Sequence, residues 1–136
     1  MYQTYNLSHG DAQAMVEAVR TKAEAARKAV CVAVADSHGE LISFLRMDGC
    51  QLPSVYIAMN KAFTAARERK DSGEIGDHMK DTGFPMTNYG NLRYTGWGGG
   101  LPVVHQGQVI GAIGVSGLTS EEDIELARGA LSSAGK

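Results

Sequence analysis

Apolar side chains recur every three or four residues in three stretches of the chain, which predicts three amphipathic helices. The first helix begins after Ser8, which can cap it with Asp11 in the capping-box position. The second begins near Pro53, and the third is capped by Thr119 with Glu122 three residues later. The three apolar faces are formed by Ala12, Met15, Val16, Val19, Ala23 and Ala26, by Val55, Met59, Ala62, Phe63 and Ala66, and by Ile124, Ala127, Ala130 and Leu131.

Runs of apolar and β-branched residues between these helices predict strands joined by hairpins. Gly39 and Gly107 lie in the turns between paired strands. Gly111 and Gly114 lie within the last strand, where glycine is unfavourable, so we expect a close neighbour there. Hairpins rather than crossovers favour an α+β fold, with helices packed on an antiparallel sheet. The predicted strands are residues 30–35, 40–46, 97–105 and 108–116.

The segment between the second helix and the third strand is less regular. Residues 71–74 can cap a short helix that continues to about Lys80. Residues 81–96 show no period and contain several glycines, prolines and asparagines, which predicts a loop. A loop of this length in a compact domain is usually functional, or else contains an element that the pattern does not reveal.

The composition narrows the class of protein. The 136 residues predict one domain over residues 1–136. Thirteen basic against 15 acidic side chains give a net charge of -2, which argues against broad electrostatic binding to nucleic acid or to a membrane surface. No apolar run approaches the roughly 20 residues of a membrane span. The first residues lack an export signal, and Cys31 and Cys50 are too few for a disulfide framework or a zinc site, so we expect a cytoplasmic protein.

Three consecutive glycines, Gly98, Gly99 and Gly100, form the sharpest local feature and follow Tyr94 and Trp97. Their exposed backbone amides can line a ligand pocket with aromatic walls, or the glycines can let a strand bend beneath a helix. No Gly-Lys-Ser/Thr follows, so the segment is not a phosphate-binding loop. No helix opens directly after it, so it is not a dinucleotide fingerprint either.

Three charged residues are further candidates for a binding site. Lys61 lies at the edge of an apolar helix face, where it can point into a pocket, neutralise a carboxylate, attack a carbonyl or extend into solvent. Arg46 and Asp48 are two residues apart at the end of the second strand and can share a face. They can hold a ligand carboxylate, order the loop or form a structural ion pair.

The histidines and acidic residues do not indicate a metal site. His9, His38, His78 and His105 are scattered without metal-ligand spacing, although each remains an alternative axial ligand for haem. An acidic cluster at Glu68, Glu74 and Asp77 is typical of a solvated helix face, with iron binding as the alternative.

Several of these segments together resemble one family. Residues 98–103, residues 109–117 and Glu121-Glu122-Asp123 are similar to the end signature of the GlcG/HbpS-like domain, also called the haem-degrading domain or DUF336. This domain also forms the C-terminal part of PduO-type proteins. Residues 60–65 resemble its helix motif, and Asp36-x-x-Gly39 with Arg46-Met47-Asp48 resembles its first hairpin.

The resemblance carries expectations about structure and function. It implies an antiparallel sheet of about five strands flanked by helices, similar to profilin or PAS domains, in a homo-oligomer that is often tetrameric or octameric. It also implies binding or sensing of haem or of a small aldehyde such as formaldehyde. Trp97 stands where the family often has a small or aliphatic residue, which favours a small carbonyl ligand over a macrocycle.

Two functional hypotheses follow from these residues. The first is a non-catalytic binding protein or sensor, with ligand contacts from Arg46, Asp48, Lys61, Tyr94, Trp97, Gly98, Gly99 and Gly100. The alternative is an enzyme for a small carbonyl compound. In that case Lys61 or Arg46 would position the substrate, and Asp48 or His78 would move protons.

Overall fold

The computed structural model describes residues 1–134, and within them it shows four α-helices and a four-stranded sheet. The helices are α1 (His9–Ala25), α2 (Ser54–Glu68), α3 (Ser72–Thr82) and α4 (Ser120–Ala130). The strands are β1 (Cys31–Asp36), β2 (Leu41–Arg46), β3 (Gly100–His105) and β4 (Gln108–Ser116). Short 3-10 turns cover Met86–Tyr89 and Leu131–Ser133. The predicted α+β class and the predicted order of elements are confirmed.

Two helix starts follow the predicted capping chemistry. The Ser8 hydroxyl accepts a hydrogen bond from the Asp11 backbone N–H at 3.0 Å. Thr119 and Glu122 form a complete capping box, in which each side chain accepts from the backbone of the other. These caps fix where α1 and α4 begin, and the second cap sets the position of the first turn of α4.

The sheet is antiparallel throughout, with strand order β2–β1–β4–β3. The expectation of about five strands was wrong, because four strands are present in residues 1–134. Residues 95–97, before β3, bond to the helices: the Thr95 N–H donates to Thr64 Oγ1, and the Ser72 hydroxyl donates to the Trp97 carbonyl. Gly99, with φ of 125°, then takes the backbone out of extended geometry immediately before β3.

The sheet separates two layers of helices. Alternate residues of the central strand β1 face opposite sides, as the two-residue period of a strand requires. Val30, Val32 and Val34 pack in the core beneath α1 and α4, whereas Cys31, Ala33 and Ala35 pack against α2. The α1–α4 side has large apolar side chains, and the α2 side has mostly alanine and glycine.

Helix α2 lies directly on the backbone of the sheet. Gly100 and Gly114 are paired across β3 and β4. A β-carbon on Gly114 would lie 2.2 Å from the Ala58 carbonyl oxygen, and one on Gly100 would lie 2.3 Å from that of Lys61. At Gly111 the expected close neighbours are Leu7 and the Ala35 carbonyl oxygen, and at Gly114 the expected close neighbour is α2. This approach rotates Lys61 into the interior, while Val55 and Met59 on the predicted apolar face are half-buried.

Candidate functional site

Lys61 and Asp123 form a buried ion pair between α2 and the first turn of α4. The Lys61 Nζ lies 3.1 Å from Asp123 Oδ2 and donates to the Val115 carbonyl oxygen at 2.8 Å. Each residue is only 2% exposed. Of the roles considered for Lys61, the structure shows the one in which it neutralises a carboxylate. Removing one partner would leave an uncompensated buried charge, so each group depends on the other.

Burial moves both members of this pair toward their neutral forms. It lowers the pKa of the Lys61 ammonium, and the nearby Asp123 carboxylate opposes this effect. It raises the pKa of Asp123, against the effects of Lys61 and of the backbone N–H groups of Leu118 and Gly117. The Leu118 N–H donates to Asp123 Oδ1 at 3.2 Å. A lysine whose pKa is lowered gives up its proton more readily than a lysine in water.

A cleft of about 340 Å³ lies beside the ion pair. This volume falls within the range of about 300–1,000 Å³ that is typical of small-molecule pockets. Ser54, Ser116 and Ser120 each contribute to the lining, and the Ser116 hydroxyl donates to the Ser54 hydroxyl at 3.3 Å. Trp97, which is 62% exposed, stands at its edge. The remaining lining residues are Gln51, Pro53, Ile57, Lys61, Gly117, Leu118 and Asp123.

The three consecutive glycines allow the backbone before β3 to pass close to this ion pair. A β-carbon on Gly98 would lie 2.8 Å from Ile124 Cδ1, and one on Gly100 would lie 2.8 Å from the Ser72 hydroxyl oxygen. That hydroxyl accepts from the Gly100 N–H at 2.9 Å and donates to the Trp97 carbonyl at 2.6 Å. The glycines thus permit close packing behind Trp97, and Ser72 holds the segment in place.

Arg46 and Asp48 lie elsewhere. Both are exposed and line a second cleft of about 490 Å³, whose lining residues do not overlap with those of the cleft beside Lys61. Within residues 1–134 they form no ion pair with each other. The structure therefore does not assemble the set of Lys61, Arg46 and Asp48 that the enzyme hypothesis requires.

Tyr94 also faces away from the cleft. Its ring stacks on Tyr89 at 4.3 Å and meets Phe63 edge-on at 5.1 Å. Its hydroxyl oxygen accepts a hydrogen bond from Arg67 Nε at 3.1 Å. This cluster anchors the segment before Trp97 to α2, so we assign Tyr94 a role in packing rather than in lining the cleft.

Comparison with known proteins agrees with this architecture. Residues 7–132 match the profile of a family described as haem degrading protein HbpS-like. The chain is 36% identical to Protein GlcG of Escherichia coli strain K12 over 116 residues, which are 81% of each chain. The chain belongs to the HbpS-like family. The resemblance drawn from its motifs is thereby confirmed.

Solved structures of relatives have the same fold as this HbpS-like chain. Klebsiella pneumoniae protein ORFY superposes with a TM-score of 0.91 at 35% identity, covering 98% of this chain and 93% of that one. A PduOC:heme complex superposes with a TM-score of 0.88 at 26% identity, covering 96% of this chain and 97% of that one. One relative of similar fold has thus been crystallised with haem.

A groove on α3 offers a different chemistry from the cleft. It holds about 230 Å³, and His78 lines it together with the thioether side chains of Met79 and Met86. The other residues of the groove are Ile75, Phe84, Pro85, Asn88 and Tyr89. The predicted loop over residues 81–96 contributes the 3-10 turn at Met86–Tyr89 to this groove.

Asp123 is the residue of the site that the sequence reasoning missed. The motif comparison includes it in an acidic signature and does not indicate that it is the partner of Lys61. A signal was present, because Asp123 lies four residues before Ala127 and seven before Ala130 on the buried face of α4. Lys61 likewise follows Ala58 by three residues on α2. Two opposite charges on alanine-rich buried faces indicate a pair across the helices.

Two kinds of feature are absent from residues 1–134. No helix there is both long enough and apolar enough to cross a membrane. No group of three or more His, Cys, Asp or Glu side chains is placed there to hold a metal ion.

Proposed function

We propose that this chain is a cytoplasmic small-molecule-binding or sensor protein, and that the cleft beside Lys61 takes a small aldehyde such as formaldehyde. The observation that carries the proposal is the combination of a buried ammonium with three serine hydroxyls in one cleft. A carbonyl oxygen, or the hydroxyls of a hydrated aldehyde, would exchange hydrogen bonds with these groups.

Size and polarity support this class of ligand. The cleft combines three serine hydroxyls and the ion pair with the apolar side chains of Pro53, Ile57 and Leu118. Trp97 covers one edge, so a compact molecule with a polar group fits better than a large apolar one. Binding without turnover is favoured because Arg46 and Asp48 line a separate cleft.

Titration with formaldehyde tests this proposal. Trp97 is the single tryptophan of the chain, so intrinsic fluorescence reports on the cleft edge directly. We expect a saturable fluorescence change and a rise in melting temperature that follows ligand concentration by mass action. Methanol, which has a similar size but no carbonyl group, should produce neither change.

Variants separate binding in the cleft from general reaction with lysines. Ser120→Ala removes one hydroxyl from the cleft, and Lys61→Met/Asp123→Leu removes the ion pair while keeping apolar volume. Both should weaken the response. Lys80→Met, at an exposed position on α3, serves as the matched control and should respond like the wild type. An equal response in all four proteins would contradict the proposal.

Haem binding is the second candidate function, and the α3 groove favours it. Imidazole and thioether groups are established axial ligands of haem iron, and His78, Met79 and Met86 line this groove. The donor types fit, and a relative is known as a haem complex. The groove volume of about 230 Å³ is below the usual range for an enclosed ligand, which is why haem ranks second.

A haemin titration distinguishes the two candidates. If the groove binds haem, the wild type should show a stoichiometric Soret shift that is lost in His78→Ala. The shift should persist in His105→Ala, which changes an exposed histidine at the β3–β4 turn. A shift that survives in both variants would remove His78 as the ligand.

We also propose that the chain assembles as a homo-oligomer, either a tetramer or an octamer. Leu52, Tyr56 and Trp97 are large, apolar and exposed, and they surround the start of α2 next to the cleft. Exposed apolar groups of this kind are often covered by another subunit. Light scattering should give a multiple of the chain mass of 14.5 kDa, and Tyr56→Lys should reduce it.

A further inference from the structure

Two cysteines meet in the core layer beneath α2. Cys31 is the first residue of β1, and Cys50 lies four residues beyond the end of β2. Their Sγ atoms are 3.3 Å apart, and both thiols are free. Cys31 is fully buried, whereas Cys50 is 9% exposed. Neither thiol has a role in the proposed ligand binding.

A tight turn brings the second thiol to the first. The Cys50 N–H donates to the Met47 carbonyl oxygen at 3.1 Å, and the Met47 N–H donates to the Val30 carbonyl oxygen next to Cys31. Gly49 occupies the third position of this turn with φ of 83°, a conformation that suits glycine. A β-carbon on Gly49 would meet no atom within 4 Å, so the turn has open space beside it.

We propose that Cys31 and Cys50 form a redox-active dithiol that closes to an intramolecular disulfide on reaction with low-molecular-weight disulfides. A disulfide bond measures about 2.05 Å, so the two sulfurs must approach by about 1.2 Å from their separation of 3.3 Å. The turn at residues 47–50 can supply this small movement because its outer side is not packed.

The exposure of the two thiols sets the order of the reaction. Cys50, at the partly exposed position, attacks the small disulfide as the thiolate, forming a mixed disulfide and releasing one thiolate. Cys31 then loses its proton, attacks the Cys50 sulfur and releases the second thiolate. In total, two protein thiols are oxidised and one small disulfide is reduced to two thiols. Burial and the Cys50 contact raise the pKa of Cys31 to about 12, which is consistent with its acting second.

The dithiol adjoins the ligand cleft on two sides. Cys31 is paired with Ser116 across β1 and β4, and Ser116 lines the cleft. Cys50 is followed by Gln51, which also lines the cleft, and the Cys50 thiol lies 4.0 Å from the Ser116 carbonyl oxygen. The movement needed for the disulfide is therefore made by a segment that continues into the cleft wall.

Incubation of the full chain with glutathione disulfide tests the proposal. After acid quenching, free thiols are counted by alkylation and mass is measured on the intact chain. We expect the wild type to change from two free thiols to none, with a mass lower by two hydrogen atoms and no attached glutathione. The readout needs no ligand, so its result is independent of the proposed aldehyde or haem binding.

Single variants test the order of attack. Cys31→Ala should gain one glutathione per chain, because the mixed disulfide at Cys50 cannot be resolved. Cys50→Ala should stay unmodified, because its remaining thiol is fully buried. Circular dichroism establishes that both variants are folded.

Three results would overturn the assignment. They are two glutathione adducts on one wild-type chain, a disulfide between two chains on a non-reducing gel, or two thiols that remain free. The urea-unfolded chain serves as the positive control for the third result. If a given concentration of glutathione disulfide oxidises the unfolded chain but leaves both thiols of the folded chain free, the assignment is overturned.

Discussion

A β-carbon on Gly99 would lie 2.9 Å from the Nζ of Lys61, so glycine allows the chain to close over this buried ammonium. The same β-carbon would lie 2.5 Å from the Val115 carbonyl oxygen, which also accepts from Lys61. The backbone at Gly99 has φ of 125°, a conformation that residues other than glycine rarely adopt. Space and conformation together require glycine beside the ion pair.

The first prediction concerns this glycine. Gly99→Ala should lower the free energy of unfolding by about 2 kcal/mol or more, because strain and a clash with backbone act together. Gly129→Ala is the control, since it lies on the exposed side of α4 and its β-carbon would meet only the flexible Lys22 side chain, at 3.4 Å. Alanine there should raise stability by up to about 1 kcal/mol through helix propensity. Urea denaturation measures the free energy of unfolding of both variants. Equal effects would contradict the requirement for glycine at position 99.

The second prediction concerns the buried ion pair. Lys61→Met should lower the free energy of unfolding by about 3–5 kcal/mol, because the Asp123 carboxylate is left without its partner. Lys61→Met/Asp123→Leu should be much closer to the wild type, since neither charge then remains in the interior. A double-mutant cycle completed with Asp123→Leu measures the coupling. Strictly additive losses would show that the two groups do not depend on each other.

The third prediction concerns alkaline pH. Burial raises the pKa of Cys31 to about 12, above the ordinary value of 9.0 that applies in the unfolded chain. Below pH 9 the thiol is protonated in both states and stability does not depend on it. Between pH 9 and 12 the unfolded chain holds fewer protons than the native chain, so stability should fall as pH rises. Cys31→Ala should flatten this dependence in denaturation curves measured across the window.

The fourth prediction concerns the capping box of α4. Thr119→Ala should lower stability by about 1 kcal/mol, because the Glu122 N–H loses its acceptor. Since Asp123 follows in the same turn, amide exchange at Leu118, whose N–H binds Asp123, should also become faster. Ser8→Ala at the start of α1 should cost a similar amount without changing that amide. A faster Leu118 exchange in both variants would argue against a local effect.

Local chemistry made much of the fold predictable. The caps at Ser8 and Thr119 depend on residues three positions apart, so they can be predicted from the local sequence alone. Gly111 and Gly114 within the last strand indicate close neighbours, which are Leu7 and the Ala35 backbone for the first and α2 for the second. Such features need no knowledge of which elements pack together.

The site was less predictable because it depends on contacts between distant elements. Lys61 and Asp123 are separated by 62 positions, and periodicity alone placed Lys61 at the edge of its helix face rather than inside. The turn after β2 directs Arg46 and Asp48 to a cleft that does not include Lys61. The Cys31–Cys50 contact was equally hidden, since a turn of four residues decides where the second thiol lies.

Because α2 packs directly on Gly100 and Gly114, the two sides of the sheet should tolerate different amounts of sequence change. Beneath α1 and α4, one apolar side chain can be exchanged for another of similar volume, so that side tolerates drift. Where α2 crosses Gly100 and Gly114 there is no side-chain volume to exchange, because backbone meets backbone, and most other buried side chains beneath α2 are small. Relatives should therefore vary mainly on the α1–α4 side. On the α2 side, even an added methyl group would have to be accommodated by moving the helix.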